Sequence, residues 1–183
     1  MKEILIIHGW AATPKSDWFP FVKEKLTKKG YKVNIPLMPN TDKPKINEWI
    51  GKLKEINPSK STVVVGHSIG CQTILRYLEK QNKIFNKVIL VAPWVTIKEE
   101  NADEAEPWEI AKPWVETPIG FSKIKNKSKE FVIIYSENDL AGVKEDILDL
   151  KNKLNAKIVN LGKKGHICQG DGVTQLPELI KEI

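Results

Sequence analysis

The chain has 183 residues, of which 41% are hydrophobic and 28% are charged, as is typical of a folded globular domain. Its formal net charge is +6, but the lysines are spread along the chain among glutamates, so we predict no nucleic-acid partner. The two cysteines, Cys71 and Cys168, exclude a disulfide framework and a zinc site. No apolar run resembles a membrane helix or a signal peptide, so we expect one cytoplasmic domain over residues 1–183, without membrane contact.

Strand-like and helix-like segments alternate along the chain, without an internal repeat. Most strand candidates are short runs of Ile and Val without polar alternation, which is typical of strands buried on both faces of a parallel sheet. The candidates are, in chain order, Glu3 to Ile7, Tyr31 to Ile35, Thr62 to Val65, Lys87 to Val91, Phe131 to Tyr135 and Lys157 to Asn160.

Apolar stripes at helical spacing predict amphipathic helices between these strands. The stripes are Trp18, Val22 and Leu26; Cys71, Ile74, Leu75 and Leu78; Val143, Ile147, Leu150 and Leu154; and Leu176, Leu179, Ile180 and Ile183. Repeated strand–helix units predict an α/β fold, a three-layer α/β/α sandwich with a mostly parallel sheet of about six strands. In such sheets the functional residues gather at the carboxyl ends of the strands.

Residues 93–126 break this alternation with three tryptophans, four prolines and an acidic cluster. Two interpretations remain open: a small lid, binding loop or short-helix insertion, or an ordinary crossover with a short helix whose tryptophans pack on the sheet. Trp94 and Trp114 are accordingly candidates either for lining a substrate pocket or for packing in the core.

The motif Gly66-His67-Ser68-Ile69-Gly70 matches G-x-S-x-G and lies between a buried strand and an apolar-striped helix. This context is typical of a nucleophile elbow, in which a tight turn presents a serine. Side chains at positions 66 and 70 would collide with neighbouring backbone, which explains both glycines. We therefore predict Ser68 as a nucleophile; the alternative is a glycine-rich loop that only packs strand against helix.

Two backbone N–H groups are candidates for an oxyanion hole. Ile69 follows the serine at the start of a helix, where the free N–H and the helix dipole favour negative charge. The second donor is expected in the loop after the first strand, where Trp10 is the candidate and Gly9 the alternative.

A serine hydroxyl needs a base to accept its proton. Among three histidines, His166 alone lies late in the chain, after the sixth strand, as the order serine, acid, histidine requires. Asp139 and Glu137 both follow the fifth strand. We choose Asp139 because a few loop residues beyond the strand are needed to reach the imidazole, which the acid would orient.

These residues together resemble the small serine hydrolases of the YdeN and retinoblastoma-binding-protein-nine type, over nearly the whole chain. The similar blocks are His8-Gly9-Trp10 with Trp18-Phe19-Pro20, Pro36 to Asn40 with Pro44 and Trp49, Gly66 to Gly70, Pro113-Trp114 with Lys123-Ile124, Ser136 to Asp139, and Gly165-His166. The resemblance implies a minimal α/β-hydrolase without a large cap domain, and the same Ser-Asp-His triad.

We therefore expect hydrolysis of a small carboxylic ester, thioester or amide through an acyl-enzyme intermediate, with no metal or cofactor. The alternative is a catalytically weak hydrolase-fold protein that acts as a protein-interaction module. The expected partner is a small-molecule substrate, and the sequence makes no prediction of oligomeric state.

Overall fold

Six parallel strands form the central sheet in a computed structural model that describes residues 2–97, 107–142 and 144–183. The strands are β1 Glu3–Ile7, β2 Lys32–Asn34, β3 Val63–His67, β4 Lys87–Val91, β5 Phe131–Tyr135 and β6 Lys157–Asn160. They lie in the order β2-β1-β3-β4-β5-β6, and every neighbouring pair is parallel. The predicted fold class is confirmed; β2 is shorter than predicted, and β3 extends to His67.

The α-helices of the described residues lie between these strands, except the last one, which follows β6. They are α1 Phe19–Lys28, α2 Ile46–Ile56, α3 Ile69–Glu79, α4 Trp108–Glu116, α5 Phe121–Ile124, α6 Lys144–Leu154 and α7 Pro177–Lys181. We did not predict α2, although Trp49, Ile50 and Leu53 are buried on it. Val143, expected to begin the α6 stripe, lies outside the described residues. None of the described helices is long and apolar enough to cross a membrane.

Alternate strand residues pack on opposite faces of the sheet, which explains the uninterrupted apolar runs. In β1, Leu5 and Ile7 belong to a buried cluster that includes residues of α2 to α6. Ile4 and Ile6 belong to a second cluster, which includes residues of α1 and α7. The sheet is therefore the middle layer of three, as predicted.

The described part of the segment at residues 93–126 packs on the core. Trp114 of α4 is 1% exposed, and the buried Arg76 of α3 donates hydrogen bonds of 2.7 Å to the carbonyl oxygens of Trp114 and Thr117. The carboxyl end of α4 is thereby attached to α3. Residues 98–106, which include the acidic cluster, lie outside the described residues, so the lid interpretation stays a prediction.

The turn between β3 and α3 leaves no room for side chains at its two glycines. A Cβ atom on Gly66 would lie 2.8 Å from the Cα of Cys71. A Cβ atom on Gly70 would overlap the carbonyl oxygen of Ile7 and lie 2.7 Å from that of His8. Glycine at position 70 therefore allows α3 to begin directly against the end of β1.

We predict that Gly70→Ala destabilises the protein by about 2–4 kcal/mol, because backbone atoms must shift to admit the methyl group. Gly51→Ala is the matched control. Nothing lies within 4 Å of a Cβ atom there, and alanine in the interior of α2 should stabilise by about 0.5–1 kcal/mol. Urea unfolding measures both free energies; wild-type stability in Gly70→Ala would contradict the close packing.

Candidate active site

Ser68 occupies a strained backbone conformation at the tip of the turn between β3 and α3. Its φ is 54° and its ψ is −126°, a region that costs a non-glycine residue about 1–3 kcal/mol. The Ser68 N–H donates to the carbonyl oxygen of Val91 at 3.0 Å, and the Ser68 carbonyl oxygen accepts from the N–H of Cys71 at 2.8 Å. The end of β4 and the first turn of α3 therefore hold the serine in this conformation.

The structure brings the three predicted site side chains into one hydrogen-bonded row. Nε2 of His166 lies 2.7 Å from Oγ of Ser68, and Nδ1 lies 2.9 Å from both carboxylate oxygens of Asp139. A carboxylate only accepts, so Nδ1 carries the proton and Nε2 can accept the serine hydroxyl proton. The other candidate acid, Glu137, instead accepts a hydrogen bond from the amide of Asn160 at 2.8 Å.

Asp139 is fixed at the carboxyl end of β5 by its own loop. Asp139 is only 6% exposed, and its Oδ1 accepts a hydrogen bond from the backbone N–H of Ala141 at 2.9 Å. Gly142 lies close by, and a Cβ atom there would be 3.2 Å from Oδ2 of Asp139. The carboxylate therefore has little freedom to rotate away from the imidazole.

Polar side chains hold the loop that carries His166. Asp171 accepts the backbone N–H of His166 at 2.7 Å, and the side-chain oxygen of Asn138 accepts that of Gly165 at 2.9 Å. Sequence reasoning assigned no role to Asp171, because an aspartate in a polar loop carries no pattern that distinguishes it from a solvated one. These two bonds determine where the imidazole projects.

The residue after the imidazole is also strained. Ile167 is fully buried with a φ of 55°, which is unusual for a β-branched side chain. Its carbonyl oxygen accepts a 3.0 Å hydrogen bond from the indole N–H of Trp18. The amino-terminal end of α1 therefore supports the His166 loop from the opposite end of the chain.

His67 is a buried neighbour of this site. Its Nε2 donates to the backbone carbonyl oxygen of His166 at 3.1 Å, and its ring packs edge-on against Trp18 and Phe19. The pKa of His67 is lowered to about 4, mainly because the ring is buried and secondly because His166 lies nearby. The ring is therefore neutral at physiological pH, with its proton on Nε2.

His8 fixes the loop that holds the candidate second oxyanion donor. Its Nδ1 donates to the carbonyl oxygen of Gly9 at 2.8 Å, and its Nε2 accepts the N–H of Met38 at 3.0 Å. Burial lowers the pKa of His8, which keeps this ring neutral as well. A Cβ atom on Gly9 would lie 3.3 Å from that of Ser68, so the loop lies directly against the serine.

A cavity of about 290 Å³ adjoins Ser68. Its walls are the loop after β1, including Gly9, Trp10 and Asp17, together with His67, His166, Cys168 and Gln169. The predicted site residues Ser68, His166 and Trp10 therefore border one space. Asp17 and His67 also border it, and sequence reasoning gave neither a role there.

Trp94 and Trp114, for which a substrate pocket and core packing both remained open, are buried. Trp94 is 1% exposed, and its indole N–H donates to Oγ of Ser68 at 3.3 Å. This contact lies in the protein interior. Trp114 donates to the carbonyl oxygen of Pro44 at 3.0 Å and packs edge-on against Trp49. Within the described residues, neither tryptophan lines the cavity beside Ser68, which agrees with the core interpretation.

The parallel sheet and the turn between β3 and α3 define the α/β-hydrolase class. The family model for serine hydrolases matches residues 4–183, and the chain belongs to that family. The resemblance to YdeN is confirmed. The YdeN protein of Bacillus subtilis (strain 168) is 28% identical over 180 residues, which cover 96% of this chain and 91% of that protein.

Solved structures agree with this assignment. The crystal structure of the ydeN gene product from B. subtilis matches with a TM-score of 0.88 and 26% identity, over 100% of this chain and 96% of that one. Est1E from Butyrivibrio proteoclasticus, solved with ferulic acid bound, matches with a TM-score of 0.74 and 14% identity, over 100% and 89%. The second match shows the fold alone.

The lowered pKa of His67 predicts a pH dependence of stability. Between about pH 4 and the ordinary histidine value of about 6.5, the unfolded chain binds a proton that the folded protein does not. Stability therefore rises with pH through this window and is lost as the pH falls. The free energy of unfolding should drop on the order of 1–2 kcal/mol from pH 7 to pH 5 through this group.

Urea unfolding of the wild type and of His67→Gln at pH 7, 6 and 5 measures this contribution. The variant should lose less stability on acidification than the wild type, although His8 still contributes in the same direction. Parallel pH profiles of the two proteins would show that His67 is not held neutral by the fold.

Proposed function

We propose that the protein hydrolyses small carboxylic esters through an acyl-enzyme intermediate on Ser68. The observation that carries the proposal is the 2.7 Å contact between Nε2 of His166 and Oγ of Ser68. As Oγ attacks the substrate carbonyl carbon, its proton passes to Nε2. Asp139 keeps the proton on Nδ1 and stabilises the imidazolium that forms.

The tetrahedral oxyanion would be stabilised by backbone N–H groups of Ile69 and Trp10. Ile69 is the first residue of the eleven-residue helix α3, whose dipole is positive at that end. Trp10 follows Gly9, which lies against the serine and borders the same cavity. Each donor would lower the barrier by about 3 kcal/mol.

His166 then serves both halves of the reaction. Its Nε2 proton passes to the leaving alcohol oxygen as the carbon–oxygen bond breaks, which leaves the acyl group on Ser68. Nε2 next takes a proton from water, whose oxygen attacks the acyl carbon and releases the acid. The same steps apply to thioesters and amides, which remain further substrate classes for this site.

The cavity beside Ser68 favours short acyl groups. Its volume of about 290 Å³ is near the lower end of the range of roughly 300–1,000 Å³ for small-molecule sites. An ester with a few carbon atoms on the acyl side fits this space, whereas a long chain would extend into solvent. Est1E, which shares this fold, was solved with ferulic acid bound, and a carboxylic acid is the product class of ester hydrolysis.

A fluorophosphonate probe should label the wild type and fail to label Ser68→Ala, because the probe reacts with an activated serine. Ser61→Ala, at an exposed serine, is the matched control and should still be labelled. Labelling of Ser68→Ala would contradict the assignment of Ser68 as the nucleophile.

The p-nitrophenyl acetate and butyrate esters should be hydrolysed faster than the octanoate. Ester turnover no greater than that of Ser68→Ala would favour a protein-interaction module.

Asp139→Asn should lower kcat by about 10³–10⁴-fold, because an amide holds the imidazole in the wrong tautomer. Glu137→Gln is the matched control; it follows the same strand, and its side chain bonds Asn160 rather than His166. Its kcat should stay within about twofold of the wild type. If Glu137→Gln were the more damaging change, our choice of acid would be wrong.

A further inference from the structure

We propose that Asp17 and His67 form a binding site for a cationic N–H donor of the substrate, at the wall of the cavity beside Ser68. The ligand class is an ammonium group on the acyl part of a small ester. This inference deepens the proposed function and rests on it for turnover, whereas binding to the site can be measured separately.

The first observation is a buried acceptor on His67. Its Nε2 donates to the carbonyl oxygen of His166, which leaves a lone pair on Nδ1. Among the described residues, Nδ1 has no hydrogen-bond partner, although the residue is only 2% exposed. A buried polar atom without a partner is costly, and His67 borders the cavity.

The second observation is a carboxylate beside that lone pair. Oδ1 of Asp17 accepts the backbone N–H of Gln169 at 2.8 Å, which fixes the side chain. Oδ2 lies 3.9 Å from Nδ1 of His67. Because the neutral ring presents a lone pair and the carboxylate presents another, two acceptors face each other without a proton between them.

An ammonium group meets the requirements of this pair. A nitrogen about 2.9 Å from each acceptor fits between two atoms 3.9 Å apart and can donate one N–H to each. Its positive charge offsets that of the carboxylate, and charge-assisted bonds are about twice as strong as neutral ones. A hydroxyl group has one proton and can satisfy only one of the two acceptors.

The acceptor pair borders the same space as the nucleophile. The position that a Cβ atom on Gly9 would take lies 3.2 Å from Nδ1 of His67 and 3.3 Å from Cβ of Ser68. A donor bound by the pair is therefore only a few bonds from a carbonyl attacked by Oγ. An amino group on the α or β carbon of the acyl chain meets this condition.

Asp17 itself is held in an unfavourable backbone conformation, with a φ of 52°. A non-glycine residue in the left-handed region persists where its surroundings hold it there. The hydrogen bond to Gln169 joins it to the segment that carries His166. The carboxylate is therefore placed by the same loops that form the cavity.

Two esters that differ in one group test the proposal. L-alanine p-nitrophenyl ester and p-nitrophenyl isobutyrate differ in an ammonium and a methyl group on the α carbon. After subtraction of spontaneous hydrolysis, wild-type kcat/KM should be roughly tenfold or more higher for the alanine ester. In Asp17→Asn the ratio of kcat/KM for the alanine ester to kcat/KM for the isobutyrate should fall at least fivefold. The substitution removes the negative charge, and the asparagine amide can itself donate to Nδ1 of His67.

The matched control is Asp149→Asn, which removes the same charge from an exposed residue of α6 that pairs with Lys153. Its ratio of the two kcat/KM values should equal that of the wild type. A wild type without preference for the ammonium ester, or an unchanged ratio in Asp17→Asn, would overturn the proposal.

Binding to Ser68→Ala separates this inference from the proposed function. L-alaninamide should bind this variant more tightly than isobutyramide, and should shift the ¹⁵N resonance of Nδ1 of His67. Both effects should disappear in Ser68→Ala/Asp17→Asn. If the esters are not hydrolysed but these binding effects occur, the hydrolase proposal fails and the donor site stands. If the Nδ1 resonance does not respond to L-alaninamide, only water occupies this position and the donor site is refuted.

Discussion

The close approach of the β3–α3 turn to the end of β1 is the constraint on which the rest of the site depends. Gly70 lies so near the carbonyl oxygens of Ile7 and His8 that no side chain fits between them. The loop that follows β1 must then leave beside Ser68, and Gly9 lies against that serine. One glycine contact thus brings the nucleophile candidate, the start of α3 and the Gly9-Trp10 loop together.

The strain at Ser68 has a physical source in the sheet. The serine N–H bonds the last residue of β4, so the parallel pairing of β3 and β4 extends into the turn. The thiol of Cys71, one turn later, donates to the same carbonyl oxygen of Val91 at 3.3 Å. Strand β4 and helix α3 therefore both stabilise a backbone conformation of Ser68 that a free chain would avoid.

Sequence reasoning predicted the sheet because buried parallel strands leave a direct signal. Four of the six strands have the predicted bounds, since runs such as Phe131 to Tyr135 are apolar on both faces. Helix α2 escaped prediction, although Trp49 and Leu53 are buried on its core side. Ile46, Trp49, Ile50 and Leu53 repeat at i, i+3, i+4 and i+7, so the sequence carried the signal for this helix and the prediction overlooked it.

The candidate site was predictable where its chemistry has a fixed order along the chain. Ser68, Asp139 and His166 follow the strands in the order that a base and its acid require. The supporting residues have no such order: Asp17 and Gln169 are 152 positions apart and meet only through the folded loops. A single aspartate before Trp18 carries no pattern, so its contact with the cavity became visible only in three dimensions.

Three histidines lie near one serine, and their hydrogen bonds give them different capacities. His8 accepts on Nε2 and donates on Nδ1, both to backbone atoms, so it has no lone pair left for a proton from Ser68. His67 donates Nε2–H to the carbonyl of His166 and directs its other nitrogen toward Asp17. Burial lowers the pKa of both rings. His166 is therefore the imidazole placed to exchange a proton with Ser68, and the backbone contact from His67 helps to keep it there.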